Sequence, residues 1–147
     1  MIQRRQSIYL LLATALIVCS YFFPFGYVGD AVLRSYGVKH HGQYIADVSS
    51  YWFHLPLFIV CLLLLIAFFS FTNRKRQMAL LRGTYIFYVV SFSLLAFFVW
   101  NAQHKLQGEF QAGISLFMAF AAMLFGYLAL RAIRQDEELV RSADRIR

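Results

Sequence analysis

The stretch LPLFIVCLLLLIAFFSF, residues Leu55–Phe71, decides the fold, because its 17 residues include no Asp, Glu, Lys or Arg. Three more runs of 18 or 19 residues also lack these charged types: Ile8–Phe25, Gly83–Trp100 and Ala112–Leu130. About 20 helical residues are needed to cross a bilayer core of about 30 Å. The sequence therefore predicts four transmembrane helices, at about residues 8–25, 55–71, 83–100 and 112–130.

The composition points to a membrane domain without a soluble appendage. Of the 147 residues, 61% are hydrophobic and only 14% are charged, whereas about a quarter of the residues in a soluble domain are charged. Four spans of about 20 residues each leave five separate pieces. All of them are shorter than the roughly 50 residues that a folded domain needs. We expect a single membrane domain over residues 1–147, with any activity located in the bundle, its loops or its tail.

The basic residues are sorted between the two sides of the predicted bundle. Of the 14 Lys and Arg residues, 11 lie at the N-terminus, between spans two and three, or after span four. The other three, Arg34, Lys39 and Lys105, lie in the remaining two loops. The positive-inside rule places both termini in the cytoplasm. This sorting explains the net charge of +7 without nucleic acid, and it predicts membrane lipids, including anionic headgroups, as partners.

The tail, residues 131–147, is charged but has a helical pattern. Leu139, Ala143 and Ile146 recur at spacings of four and three, and Glu137 precedes Arg141 by four residues, which is a favourable helical pair. The pattern predicts that span four continues as a short cytoplasmic amphipathic helix. The predicted fold is therefore all-α: a four-helix transmembrane bundle with both termini inside and this helix at its C-terminal end.

The loop from Gly26 to Tyr51 is the longest stretch outside the predicted spans, and it contains four glycines. Short mixed stretches between glycines are typical of a β-hairpin. A short surface helix beginning at Asp30 is the alternative, and the sequence leaves both open.

Span four has a regular series of small residues on one helix face. Their spacings of four and three repeat as a heptad, which favours close packing against a neighbouring helix at a shallow left-handed angle. The pattern predicts a helix-packing seam within the chain, and a seam for another subunit is the alternative. The seam consists of Gly108, Ala112, Ser115, Ala119, Ala122, Gly126 and Ala129.

No catalytic arrangement can be assembled from the sequence. The apolar runs contain no Asp, Glu, Lys, Arg or His, although proton and ion pathways usually need an ionisable group inside the membrane. We therefore expect no enzyme, no transporter, no cofactor and no metal. One alternative is small-molecule or lipid handling by the hydroxyl face of span three, formed by Thr84, Tyr88 and Ser91.

A less favoured alternative is a haem or metal redox protein. Imidazole is a common metal ligand, and all four histidines fall on the predicted outer side or at its membrane boundary. They lack a ligand-type spacing such as H-x-x-x-H. They are His40, His41, His54 and His104.

Both ends of the chain resemble a known family. The opening MIQRRQSIYLLL (residues 1–12) and the closing DEELVRSADRIR (residues 136–147) are similar to the signatures of an uncharacterised bacterial four-span membrane family, domain of unknown function 4293. Arg5 departs from the pattern, which has an apolar residue there. The family has no assigned activity, so the resemblance implies no catalytic residue. It implies an inner-membrane location in Gram-negative bacteria and favours the two cytoplasmic ends as functional regions.

Together these features predict a non-enzymatic integral inner-membrane protein that serves as a scaffold or partner-binding subunit. Its partner would be another membrane or cytoplasmic protein that contacts the two cytoplasmic ends. The candidate contact residues are Gln3, Arg4, Gln6, Asp136, Glu137, Arg141, Ser142, Asp144 and Arg145.

Overall fold

The structure, a computed structural model, describes residues 2–45 and 51–144. Within them the chain forms four α-helices, each of which contains most of one predicted apolar run. The helices are α1 (Ile2–Ser20), α2 (Tyr51–Phe69), α3 (Arg74–Leu106) and α4 (Ile114–Asp144).

The helix bounds differ from the predicted spans where polar or helix-breaking residues lie. α1 ends at Ser20, short of the end of its apolar run, and Pro24 follows, which cannot continue a helix. α3 begins well before its apolar run, at an N-cap in which the Asn73 side chain accepts the Arg76 N–H at 3.1 Å. α4 runs without interruption to Asp144, so the predicted helical continuation of span four is confirmed to that residue.

Two helices among the described residues, Arg74–Leu106 and Ile114–Val140, are long and apolar enough to cross a membrane. That statement rests on length and composition. The apolar segments Gln6–Ser20 and His54–Phe69 are shorter, at 10–17 residues each.

The helices pack as two antiparallel pairs. α1 lies along α4 and α2 lies along α3, while α1 contacts α2 less extensively and the contact between α3 and α4 is sparse. The α1–α4 direction follows from two contacts: Ser20 at the end of α1 meets Ser115 at the start of α4, and Gln6 meets Ala132 near the other end. The core between the helices contains fully buried Leu10, Ile17, Leu64, Leu81, Tyr88 and Ile133.

The loop after α1 folds into a β-sheet, which corrects the all-α prediction. Four strands follow one another as antiparallel hairpins, and a fifth comes from the α3–α4 connection, giving the order β4-β3-β2-β1-β5. The hairpin interpretation of the loop is confirmed, whereas the helix beginning at Asp30 is wrong because Asp30 lies in a turn. The strands are β1 (Gly26–Val28), β2 (Ala31–Arg34), β3 (Gly37–His40), β4 (Gln43–Ile45) and β5 (Phe110–Ala112).

The sheet forms because its side chains alternate between two faces. Val28, Leu33 and Val38 are buried on the inner face, in one cluster with Leu95 and Phe98 of α3. Tyr27 and Tyr44 point to the other face and are exposed. Because buried and exposed side chains alternate with a period of two, this segment forms a sheet whose buried face covers one end of the helices. We call this end the sheet end. The opposite end is the tail end.

The α1–α4 pair is tied to the sheet at one backbone junction. The Gly113 N–H donates to the Phe25 carbonyl at 2.7 Å, and the Ser115 N–H donates to the Pro24 carbonyl at 3.2 Å. A Cβ at Gly113 would overlap the Pro24 carbonyl oxygen. Only glycine therefore lets the start of α4 approach the chain that leaves α1 this closely.

Candidate functional site at the tail end

An ion pair joins α3 to α4 at the tail end. Arg74 Nη2 lies 2.9 Å from Asp136 Oδ2, and the two side chains are 26% and 11% exposed. Arg74 Nη1 also lies 3.5 Å from the Asp136 carbonyl oxygen, to which it donates. Because the carboxylate is almost buried, losing its cation would leave a charge with little access to water. The pair fixes the first turn of α3 against the last part of α4.

Two buried amides make further connections at the same end. The Gln77 Nε2 donates to the Ala67 carbonyl at 3.0 Å, which satisfies one of the last carbonyls of α2. The Gln6 Nε2 donates to the Ala132 carbonyl at 3.4 Å and so joins α1 to α4. All four helices are therefore connected by polar contacts at the tail end.

These contacts change the interpretation of two candidate contact residues. Gln6 and Asp136 are 6% and 8% exposed, so both face neighbouring helices of the same chain. Glu137 is half-buried and Ser142 is exposed. The backbone places Gln3 and Arg4 in the first turn of α1 and Arg141 and Asp144 in the last two turns of α4, while Arg145 lies outside the described residues.

A groove of about 350 Å³ runs between α1 and α4 at the tail end. It adjoins a second groove of about 510 Å³ further along α4, and Gln135 and Leu139 line both. Leu139 is 56% exposed and Val140 is 43% exposed. The two grooves are lined by Tyr9, Leu128, Arg131, Ala132, Gln135, Asp136, Glu138, Leu139 and Ser142.

A third groove, of about 330 Å³, lies between α3 and α4 and is called the basic crevice below. It contains three cations, two carboxylates and one thioether, contributed by both helices. Its lining residues are Lys75, Met78, Arg82, Arg134, Glu137 and Glu138.

The four histidines lie at the sheet end, and each of their rings contacts another ring. His54 is buried with its ring 4.7 Å from that of Phe25, and the His104 ring lies 4.7 Å from that of Trp100. The rings of His40 and His41 contact each other at 4.0 Å. In the described ranges 2–45 and 51–144, no group of three or more His, Cys, Asp or Glu side chains could hold a metal ion.

The hydroxyl face of α3 points into the bundle. Thr84, Tyr88 and Ser91 are 1%, 1% and 4% exposed, and the Thr84 hydroxyl donates to the Leu81 carbonyl at 2.7 Å. Back-bonding of this kind satisfies a Thr hydroxyl within its own helix.

The small-residue face of α4 is shorter than the spacing predicts. Ser115, Ala119, Ala122, Gly126 and Ala129 are buried on α4. Gly108 and Ala112 precede the helix, in the connection and in β5, and Ala112 is exposed. The sheet strand β5 therefore interrupts what the sequence presents as one continuous helical face. The Ser115 hydroxyl donates to the Ser20 carbonyl at 2.6 Å, so the first turn of this face packs on α1.

Sequence reasoning did not find the partner of Asp136, the cap supplied by Gln77 or the basic crevice. Asp136 and Arg74 are 62 residues apart, and spacing within one helix carries no information on such a pair. The sequence gives one indication of the basic crevice: Lys75 and Arg82 are seven residues apart and so share a face of one helix.

Comparison with known families gives one result. Residues 2–146 match the family described as "Domain of unknown function (DUF4293)". No curated protein matches the chain.

Proposed function

The chain belongs to the DUF4293 family, a domain of unknown function, and on that premise we propose that it is a four-span inner-membrane scaffold. In this proposal all four helices cross the bacterial inner membrane, both termini are cytoplasmic, and the protein performs no catalysis. The tail end binds another membrane or cytoplasmic protein.

The outward faces of the helices support insertion of all four. Leu11 on α1, Phe58 on α2, Val89 on α3 and Leu124 on α4 are each exposed, and each has similarly exposed apolar neighbours. Soluble proteins rarely expose apolar patches beyond a few hundred Å². A bilayer would cover these side chains, and the 17 to 19 residues of each run, none of them Asp, Glu, Lys or Arg, are close to the length that a bilayer core requires.

The distribution of Lys and Arg supports the proposed orientation, in which the tail end is cytoplasmic. The tail end contains Arg74, Lys75, Arg76 and Arg82, as well as the basic residues of the α4 tail, whereas Arg34 and Lys39 lie in the sheet. The side richer in Lys and Arg is normally cytoplasmic. The sheet would then face the periplasm.

The observation that carries the partner-binding proposal is the position of Leu139. It is 56% exposed and lines both grooves of the α1–α4 face. The Arg74–Asp136 ion pair holds this part of α4 against α3, so the surface is presented by a fixed helix. Binding of a second helix in a groove uses anchors of this kind, with apolar residues spaced along one face.

Affinity purification from native membranes tests this function, with three forms of the full chain compared. The variants are Leu139→Asp and Tyr44→Asp, which change side chains of equal exposure, 56%, at opposite ends of the molecule. We expect the parent and Tyr44→Asp to co-purify the same protein in a defined ratio, and Leu139→Asp to lose it.

Retention of that protein by Leu139→Asp would contradict the proposal. So would a parent preparation that contains bound lipid or a cofactor and no protein in a defined ratio.

A further inference from the structure

The basic crevice combines cations from two helices. Lys75 and Arg82 come from α3 and Arg134 comes from α4, and all three side chains are exposed. The crevice is open because α3 and α4 contact each other sparsely. Two helices thus present positive charge to the same space of about 330 Å³.

The cations of the crevice are available to a ligand. Among residues 2–45 and 51–144, the ion pair that joins α3 to α4 is the neighbouring Arg74–Asp136 contact, and no ion pair occupies Lys75, Arg82 or Arg134. Glu137 and Glu138 also line the crevice, so the lining has three positive groups against two negative ones. A bound anion would neutralise the excess positive charge of the lining. Paired guanidinium groups suit the oxygens of a phosphate.

The surface beyond the cations is apolar. Ile86 and Val89 lie about one and two helical turns from Arg82 along α3, and Tyr127 lies about two turns from Arg134 along α4. Their side chains are 67%, 67% and 54% exposed. A charged pocket is therefore followed by an apolar surface, in the direction of the centre of the proposed membrane.

We propose that the basic crevice binds one anionic phospholipid, with its phosphodiester group held by Arg82 and Arg134 and its acyl chains along Ile86, Val89 and Tyr127. Basic pockets between transmembrane helices on the cytoplasmic side are known to bind anionic headgroups. The apolar surface favours a lipid over free phosphate, because free phosphate has no chains to bury. The site needs the membrane insertion of α3 and α4, which among residues 2–45 and 51–144 are the helices that meet the length and composition of a membrane span. It does not depend on any partner protein.

Native mass spectrometry of the full chain in detergent tests the site. Phosphatidylglycerol and phosphatidylcholine are titrated separately, and the apparent Kd of the first bound molecule is compared. The phosphatidylglycerol titration is then repeated in the presence of sodium phosphate. We expect phosphatidylglycerol to bind as a single tight molecule, phosphatidylcholine to bind at least tenfold more weakly, and phosphate not to compete at the same concentration.

Variants separate the crevice from the general basic surface. Arg82→Gln and Arg134→Gln should each weaken phosphatidylglycerol binding about fivefold, whereas Arg76→Gln removes an exposed cation that does not line the crevice and should have little effect. Glu138→Gln should tighten binding, a gain that unfolding cannot produce.

Three results would overturn the assignment. These are equal binding of phosphatidylcholine, equal weakening by Arg76→Gln and Arg82→Gln, and effective competition by phosphate. Unchanged binding in Glu138→Gln would also count against it. None of these results depends on whether Leu139 binds a protein.

Discussion

Arg74 Nη2 on α3 lies 2.9 Å from Asp136 Oδ2 on α4, and this ion pair joins helices that otherwise contact each other sparsely. The carboxylate is nearly buried, while the guanidinium is about a quarter exposed. This pair of side chains therefore joins the first turn of α3 to the tail of α4.

Removing the cation of this pair should destabilise the protein. Arg74→Met leaves a buried carboxylate without its counter-ion, and we expect the free energy of unfolding in detergent to fall by about 1–3 kcal/mol. Asp136→Leu should lower the free energy of unfolding by less than Arg74→Met does, because the Arg74 side chain can extend to water. Thermal unfolding in detergent micelles measures both.

The double variant Arg74→Met with Asp136→Leu provides the control, since it removes both charges. It should recover part of the lost stability. If Arg74→Met melts like Arg76→Met, which changes an exposed neighbour, the ion pair does not stabilise the tail end.

Gly126 should accept a small side chain and reject a large one. A Cβ there would lie 4.0 Å from the Tyr85 hydroxyl, an ordinary contact distance. We expect Gly126→Ala to be neutral or to raise stability by up to about 1 kcal/mol, because alanine favours the helix. Gly126→Leu should lower it by about 1–3 kcal/mol through overpacking. The melting temperatures of the purified proteins in detergent test both expectations. A Gly126→Leu protein as stable as the parent would rule out a packing role for the small-residue face of α4.

Gly113 should not tolerate even one added carbon. A Cβ at this position would contact the backbone of Pro24, Phe25 and Gly26, which cannot move cheaply. Gly113→Ala should therefore cost about 1–3 kcal/mol, seen as a lower melting temperature.

Gly83 is the matched control for that substitution. No atom outside its own helix neighbourhood lies within 4 Å of a Cβ at Gly83, so Gly83→Ala should be neutral or stabilising. Equal melting temperatures for Gly113→Ala and Gly83→Ala would show that the junction of α1, β1 and α4 is looser than described.

The helices could be predicted because their physical signal is local. Uninterrupted apolar runs such as Leu55–Phe71 indicate a helix. The spacing of Leu139 and Ala143 predicts that α4 continues past its own run. The sheet could not be predicted with certainty, because short strands such as Gly26–Val28 offer only three residues of alternation. β5 could not be predicted, because it has only three residues and its pairing with β1 links residues more than 80 positions apart.

The candidate site was located only in part. The tail end was identified from charge and from the resemblance of the termini, but the roles of its residues needed three-dimensional contacts. Gln6 and Asp136 are of polar residue types that usually lie on the surface, yet each is buried against another helix. No pattern within one segment reveals a partner 62 or 126 residues away.

We propose that the sheet and the α4 tail lie on opposite sides of a membrane, and cysteine labelling in intact spheroplasts tests this proposal most directly. Cys19 and Cys61 are replaced by alanine, and Tyr44→Cys and Ser142→Cys each introduce one exposed thiol. A membrane-impermeant maleimide should label Tyr44→Cys in intact spheroplasts and Ser142→Cys only after lysis. Labelling of both positions before lysis, or of Ser142→Cys alone, would contradict the topology and the cytoplasmic partner site.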